Sequence, residues 1–239
     1  SVLTFVLGAS PLLHADNENF SYGELNERDF SNQSLKNSTW THADLSNASF
    51  AGANLDGANF EDASLNGTDF TDAIITNMYW GASFTRNQLY STASYKNKDL
   101  SGIDFRFVDV KNWDFSGQNL SGVNFYSRDF TGADFTDSII TNTDFSGSNL
   151  TFDQLKSTAS YKNKDLSGAS FSSVDLAGFD FSDQIINNAS FGNAKNLTAS
   201  QIASTASYKN KDLSGVDFTR STVSGWSFAG QNLEGANFY

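Results

Sequence analysis

Residues Ala43–Asp62 read ADLSN ASFAG ANLDG ANFED, four five-residue units in a row. Each opens on Ala, continues with Asp, Asn or Ser, and places Leu or Phe third. Working outward, an apolar residue recurs at every fifth position: Phe20, Leu25, Phe30, Leu35, Trp40, Leu45, Phe50, Leu55, Phe60, Leu65, Phe70, Ile75 and Trp80. A period of five fits neither an α-helix, which repeats near 3.6, nor a strand, which repeats at 2. Every fifth residue holds an equivalent position only if the chain turns a corner each time, and a short fixed period of this kind marks a solenoid.

These units resemble the pentapeptide-repeat family, whose motif is A(D/N)LXX, over about Phe20–Tyr239. The resemblance implies an all-β solenoid: a right-handed quadrilateral β-helix with one pentapeptide per face and four faces per coil. The central Leu or Phe and the small residue two places before it would point inward.

The register breaks in five places. Trp80 to Phe84 is four residues, Phe191 to Leu197 is six, and Leu89–Leu100, Leu155–Leu166 and Ile202–Leu213 are eleven each. Taking each eleven-residue step as one face plus an insertion sorts the central residues into four columns and gives about ten coils with three short helical insertions on one edge. The first column is aromatic throughout (Phe20, Trp40, Phe60, Trp80, Phe105, Phe125, Phe145, Phe171, Phe191, Phe218, Phe238). The fourth is aliphatic throughout, from Leu35 to Leu233; the second is mostly aliphatic, with Phe84 and Phe130 as exceptions. The third is Phe except at Leu89, Leu155 and Ile202, where the insertions begin. A narrow prism cannot hold four rings in one layer, so aromatics on two opposite walls and aliphatics on the other two fill it to native density.

The segment STASYKNKDLSG occurs three times unchanged, at Ser91–Gly102, Ser157–Gly168 and Ser204–Gly215. Just upstream stand TRNQL, TFDQL and TASQI, beginning at Thr85, Thr151 and Thr198. Thr-x-x-Gln is a capping-box signature, so a helix of one to two turns is expected to start at each Thr. So short a helix needs tertiary support. One coil before each insertion an outward Ile is available (Ile74, Ile139, Ile185), and one coil after it a bulky residue replaces a small one (Trp113, Phe179, Trp226). The triplicated segment is read as the exit from a helical corner. Its lysines, Lys96, Lys98, Lys162, Lys164, Lys209 and Lys211, are six of the fifteen basic residues and form a candidate docking ladder for an acidic partner.

The chain of 239 residues has a formal net charge of −12, one proline, no cysteine and two histidines. The charge disfavours binding to a nucleic-acid backbone, which needs a basic surface. Without cysteine there is neither a disulfide nor a thiolate metal site. His14 and His42 lack the partners of a triad, and HExxH, CxxC, a P-loop and GxGxxG before a helix are missing. No loop carries calcium-ligand spacing. The expectation is a non-enzyme with no catalytic residue, no metal and no cofactor. Much of the acid is Asp just before a central residue, as at Asp44, Asp69, Asp134 and Asp180, where a short acceptor can bond backbone N–H groups at corners.

Residues 1–19 read as an apolar leader, N-terminal cap or assembly segment, and 20–239 as the repeat domain. Ser1–Ala15 resembles the apolar region and cleavage site of a secretory signal. At about 13 apolar residues it is too short to span a bilayer. With Val2, Leu3, Phe5, Val6 and Leu7 at one end and Phe238 and Tyr239 at the other, head-to-tail contact is expected to build an open assembly. The leading expectation is therefore an exported structural or interaction protein (periplasmic, extracellular or at the cell surface) that binds protein and self-associates end to end. The alternatives are a cytoplasmic, DNA-mimicking inhibitor or protector of DNA gyrase, which the family resemblance suggests, and a surface or carbohydrate-binding module resting on Trp113 and Trp226.

Overall fold

The computed structural model describes residues 15–81 and 83–239. The leader residues Val2, Leu3, Phe5, Val6 and Leu7, and His14, lie outside the described residues. The chain forms two compact units, Ser1–Asp109 and Val110–Tyr239.

In the first unit the backbone pairs in parallel with itself twenty residues on. Asn19 faces Thr39, and Thr39 faces Asn59. Then β1 (Asn59–Phe60) pairs with β2 (Tyr79–Trp80). Three further runs, Glu24–Asp44–Ser64, Asp29–Ser49–Asp69 and Ser34–Asn54–Ile74, complete four faces. Each face lends only one or two residues to a ladder before the next corner, so most of the pairing consists of isolated bridges. The bonds are nonetheless regular: Trp40 N–H donates to Asn59 O at 2.7 Å, Leu45 to Ser64 at 3.0 Å, Phe50 to Asp69 at 2.7 Å and Leu55 to Ile74 at 2.8 Å.

The corners are β-turns. Ala43 N–H donates to Trp40 O at 3.0 Å and Ala48 N–H to Leu45 O at 2.9 Å. The third turn residue has positive φ, 59° at His42 and 58° at Asn47, as a type II turn requires. That is why Gly and Asn crowd the second place after each central residue. The slot before the central residue closes the same corner from its side chain. Ser46 N–H donates to Asp44 Oδ1 at 3.0 Å, Thr71 to Asp69 at 2.8 Å and Thr136 to Asp134 at 2.8 Å.

Inside the first unit, Phe20, Trp40, Phe60 and Trp80 stack within 30° of parallel, with successive ring centroids 4.1, 5.7 and 5.9 Å apart. Phe30, Phe50 and Phe70 form the second stack at 5.1 and 5.4 Å. The two meet edge to face, Trp40 on Phe50 at 5.1 Å and Phe70 on Trp80 at 5.3 Å, which is the geometry ring quadrupoles favour. Leu35, Leu45 and Leu55 are fully buried on the remaining walls. In the second unit Phe125, Phe145, Phe171, Phe191, Phe218 and Phe238 stack at 5.5–6.3 Å. Each fully buried ring contributes about 1.5–3 kcal/mol before entropy is counted.

Where an eleven-residue segment intervenes, the ladder step lengthens. Tyr79 pairs with Asp104, Asp144 with Ser170 and Ser190 with Asp217, steps of 25, 26 and 27 residues in place of 20. The eleven-residue segment adds six; the short step at Trp80–Phe84 removes one, and the long step at Phe191–Leu197 adds one. At the short step Phe84 lies flat on Trp80, with ring centroids 3.5 Å apart. A Cβ on Gly81 would stand 2.9 Å from the Asp62 nitrogen and 3.1 Å from the Phe60 oxygen, so only glycine passes there without a shift. At the long step Lys195, not Asn196, pairs with Asp175. Asn196 therefore takes the central register with φ of 56°, and Leu197 stands one place beyond its expected position.

Candidate functional site

The three helical corners are built alike. The first comprises α1 (Arg86–Ser91) and α2 (Ala93–Lys96), the second α3 (Phe152–Ser157) and α4 (Ala159–Lys162), and the third α5 (Ala199–Ala203) and α6 (Ala206–Lys209). The triplicated segment is thus more than an exit, because it contains a second helix of its own. Thr92, Thr158 and Thr205 punctuate the pair. Thr158 Oγ1 donates back to Leu155 O at 2.8 Å and accepts from Tyr161 N–H at 3.1 Å.

The first helix of each corner begins with a capping box. Thr151 accepts from Gln154 N–H at 3.2 Å, and Gln154 Oε1 accepts from Thr151 N–H at 3.0 Å. The glutamine also does something the spacing does not reveal. Its Nε2 donates to Phe130 O at 2.8 Å and Ala133 O at 3.0 Å, tying the helix to the coil below. Gln88 repeats this with Leu65 and Thr68 (2.9 and 3.1 Å), and Gln201 with Leu176 and Phe179 (2.9 and 2.8 Å).

The second helix ends in a Schellman motif. Lys98 N–H donates to Tyr95 O at 3.1 Å and Asp99 N–H to Ser94 O at 2.8 Å. The same pair of bonds closes the other two corners at Lys164–Asp165 and Lys211–Asp212. Lys98, Lys164 and Lys211 consequently have φ of 63°, 64° and 60°, at a position where glycine is usual. The buried serine of each copy replaces a ladder carbonyl: Ile75, Ile140 and Ile186 N–H donate to Ser94, Ser160 and Ser207 Oγ, each at 2.9 Å.

The six lysines therefore divide into two kinds. Lys96, Lys162 and Lys209 reach back to Asp72, Asp137 and Asp183 at 2.7, 2.7 and 2.6 Å. Those aspartates sit in TDAII, TDSII and SDQII, and their own N–H groups donate to Ser91, Ser157 and Ser204 O. Lys209 holds the Asp183 carboxyl below the usual carboxylate range. Lys98, Lys164 and Lys211 are the Schellman residues. Lys98 and Lys164 lie over the rings of Tyr95 and Tyr161, and Lys164 Nζ is 3.3 Å from Ser182 O.

Ile74, Ile139 and Ile185 project outward and stay 42–44% exposed. Phe179 is buried, its ring centroid 5.5 Å from that of Phe152 in α3. Trp226 is half-buried at a recess beside α5. Trp113, in the second unit, is buried 6.0 Å from Phe115. Phe238 stacks on Phe218 at 5.5 Å, and Tyr239 is 96% exposed. His42 lies beside Tyr22 at a corner, its Nδ1 3.7 Å from Asp62 Oδ2.

Charge follows the same architecture. Asp29, Asp44, Asp134, Asp180 and Asp212 are held below the ordinary carboxylate range by hydrogen bonds from a neighbouring hydroxyl and its backbone N–H. Asp129 is pushed furthest, by the hydroxyl and backbone of Thr131 together with Lys111 and Asn149. Among the described residues no group of three or more His, Cys, Asp or Glu is placed to hold a metal ion, and no helix is long and apolar enough to cross a membrane.

A family model for pentapeptide repeats matches eight copies, over residues 24–62, 41–77, 99–137, 129–151 and 165–195. The gaps at 78–98 and 152–164 contain the first and second helical corners, and the matches resume directly after Lys98 and Lys164. No curated protein sequence matches the chain. Among solved structures, HetL, a pentapeptide repeat protein involved in heterocyst differentiation regulation from Nostoc sp. strain PCC 7120, is 20% identical, with 94% of this chain and 76% of that one covered and a TM-score of 0.31. Full-length QnrB1, a plasmid-mediated fluoroquinolone resistance protein, is 18% identical over 97% and 94%, with a TM-score of 0.31. A pentapeptide repeat protein of the Arabidopsis thaliana thylakoid lumen is 22% identical over 59% and 70%, with a TM-score of 0.20. These likenesses are too distant to carry a residue or a role across. With its repeat model matched over more than half of the sequence, the chain belongs to the pentapeptide repeat family, whose members fold as right-handed quadrilateral β-helices.

Proposed function

We propose that the chain is a non-enzymatic interaction protein, a coil of about ten turns with its helical corners on one edge, that presents its outer surface to protein partners. The observation that carries this reading is how the polar side chains are committed. The Asp and Asn before the central residues close corners, and Lys96, Lys162 and Lys209 latch each helical corner to the coil below. What remains outward is surface to be recognised, not a cluster of reactive groups.

The finer form of the proposal is end-to-end self-association through Phe238 and Tyr239 and the apolar residues Val2, Leu3, Phe5, Val6 and Leu7. Light scattering with and without residues 1–15 tests it. Mass rising with concentration only in the longer form is expected, and a strict monomer in both removes it. The same reading places the protein in the periplasm, outside the cell or on its surface, on the strength of the apolar leader. Fractionation that finds only a cytoplasmic pool overturns that part.

A second reading is favoured by the formal net charge of −12, with aspartates repeated along the corners: an acidic surface that competes with DNA for a basic groove such as that of gyrase. A supercoiling assay decides it. Inhibition or protection by stoichiometric protein supports this reading, and an unchanged reaction dismisses it.

A further inference from the structure

The second and third helical corners share one frame and differ in what fills it: Phe152, Lys156 and Phe179 of the second stand where Ala199, Ala203 and Trp226 stand in the third. In the second, α3 opens with TFDQL, and the Phe152 ring lies 5.5 Å from Phe179 and 5.8 Å from Tyr161. In the third, α5 opens with TASQI, so Ala199 stands where Phe152 does. The surrounding bonds are preserved. Tyr161 O–H donates to Asp180 O at 2.8 Å, and Tyr208 O–H donates to Ser227 O at 2.8 Å. Gln154 and Gln201 each hold two carbonyls of the coil below. Where the second corner has the Phe152 ring with Lys156 over it, the third has Ala199 and Ala203 and a recess of about 220 Å³ bounded by these two, Tyr208, Trp226 and Phe228. Phe179 under its phenyl lid is 6% exposed, whereas the equivalent Trp226 is only half-buried.

We propose that this recess is a binding site for a single aryl ring, presented as a phenylalanine side chain of a partner polypeptide. The occupant is identified by the second corner, where the same frame packs a phenyl ring from within the chain. The space is smaller than the several hundred Å³ of a complete small-molecule site, so it holds one ring and not a whole ligand. Its lining contains no charged group, and its three aromatic residues can meet an entering ring edge to face or offset. A sugar also stacks on Trp, but its several hydroxyls need several polar partners; the lining is mainly apolar, with Ser200 and Ser227 its serines, and the Ser227 carbonyl already accepts from Tyr208, which favours an aryl ring over a sugar. One anchored ring has little area, so isolated binding is on the order of millimolar and becomes useful only within a larger contact.

The test is a titration of the full ¹⁵N-labelled chain with N-acetyl-phenylalanine methylamide, following the Trp226 indole N–H by NMR. N-acetyl-leucine methylamide and methyl glucoside run in parallel. A saturable shift at Trp226, several-fold weaker with the leucine compound and missing with the glucoside, is expected. Ala199→Phe installs the residue of the second corner. It is expected to abolish the shift and raise Tm by about 2–4 °C by filling the recess. The absence of a saturable shift, an equal response to the leucine compound, a response to the glucoside alone, or undiminished binding by Ala199→Phe would overturn the proposal. The titration of the unmutated chain decides even where the variant folds poorly.

Discussion

Gln154→Glu separates the two roles of the capping glutamine. Glutamate is as good a capping-box residue as glutamine, so the bond from Thr151 N–H at 3.0 Å survives. The other end does not. Nε2 donates to Phe130 O at 2.8 Å and Ala133 O at 3.0 Å, and a carboxylate oxygen there meets two carbonyl oxygens. Losing two hydrogen bonds at about 1 kcal/mol each, and leaving the Ala133 carbonyl without that donor while Phe130 O keeps only its corner bond from Ala133 N–H at 2.9 Å, costs about 2–4 kcal/mol at neutral pH. A solenoid need not unfold in one step, so the readout should be local. Amide exchange at Leu155 and Thr158 should accelerate about 30-fold or more, while amides on coils two turns away stay protected. The sign with pH is fixed. The carbonyls raise the folded-state pKa of the new carboxyl above its unfolded value of about 4.3. The penalty is therefore complete above the raised pKa and fades as pH falls through it, because the protonated acid regains a donor. A variant with wild-type exchange at pH 7, or one whose deficit grows on acidification while the wild type is unaffected, would refute the anchoring role.

Three further outcomes follow from the same geometry. Lys211→Gly should stabilise the chain by about 1 kcal/mol, since the Schellman position holds a left-handed φ of 60° that glycine adopts freely; chemical denaturation checks it, and a loss of stability contradicts the assignment. Ser160→Ala leaves the buried Ile140 N–H without its acceptor and should cost about 1–3 kcal/mol, read as faster exchange at Ile140; unchanged protection would mean that another acceptor serves. Asp29, Asp44, Asp134, Asp180 and Asp212 have folded-state pKa values below their unfolded ones, so their contribution is complete above about pH 4 and is lost as pH falls through the depressed values. Tm should hold between pH 7 and 5 and drop steeply in more acid solution, and a flat profile down to pH 2 would discredit the corner carboxylates.

Much of the coil was legible because its signal is local and repeated. A central residue every fifth position dictates corners, and the alternation of ring and branched-chain walls follows from what one layer can hold. Thr85, Thr151 and Thr198, each three residues before a Gln, announce helix starts for the same reason. The attachment of the helical corners was not legible, because its partners are separated by a whole coil plus an insertion of unknown path. Lys162 finds Asp137, and Gln154 finds Phe130 and Ala133, only once the length of the detour is known. The second helix carries no capping-box signature in the sequence, because Thr158 caps it without a following Glu or Gln. The lysines read from sequence as one exposed ladder, yet half of them are engaged by aspartate and the other half stand at helix ends for backbone reasons. By spacing Leu197 continues the second column, since spacing alone does not say which residue of a six-residue step takes the register.

The slot before each central residue has one more implication. Asn19, Asn54, Asn59, Asn119 and Asn232 accept the corner N–H just as Asp44 or Asp134 does. The amide and the carboxylate are interchangeable there as acceptors and differ by one unit of charge. Exchanging them one coil at a time would tune the electrostatic potential of the outer surface in small increments while leaving the interior as it is. Evolution or an experimenter could thus retune which partners are attracted without redesigning the scaffold.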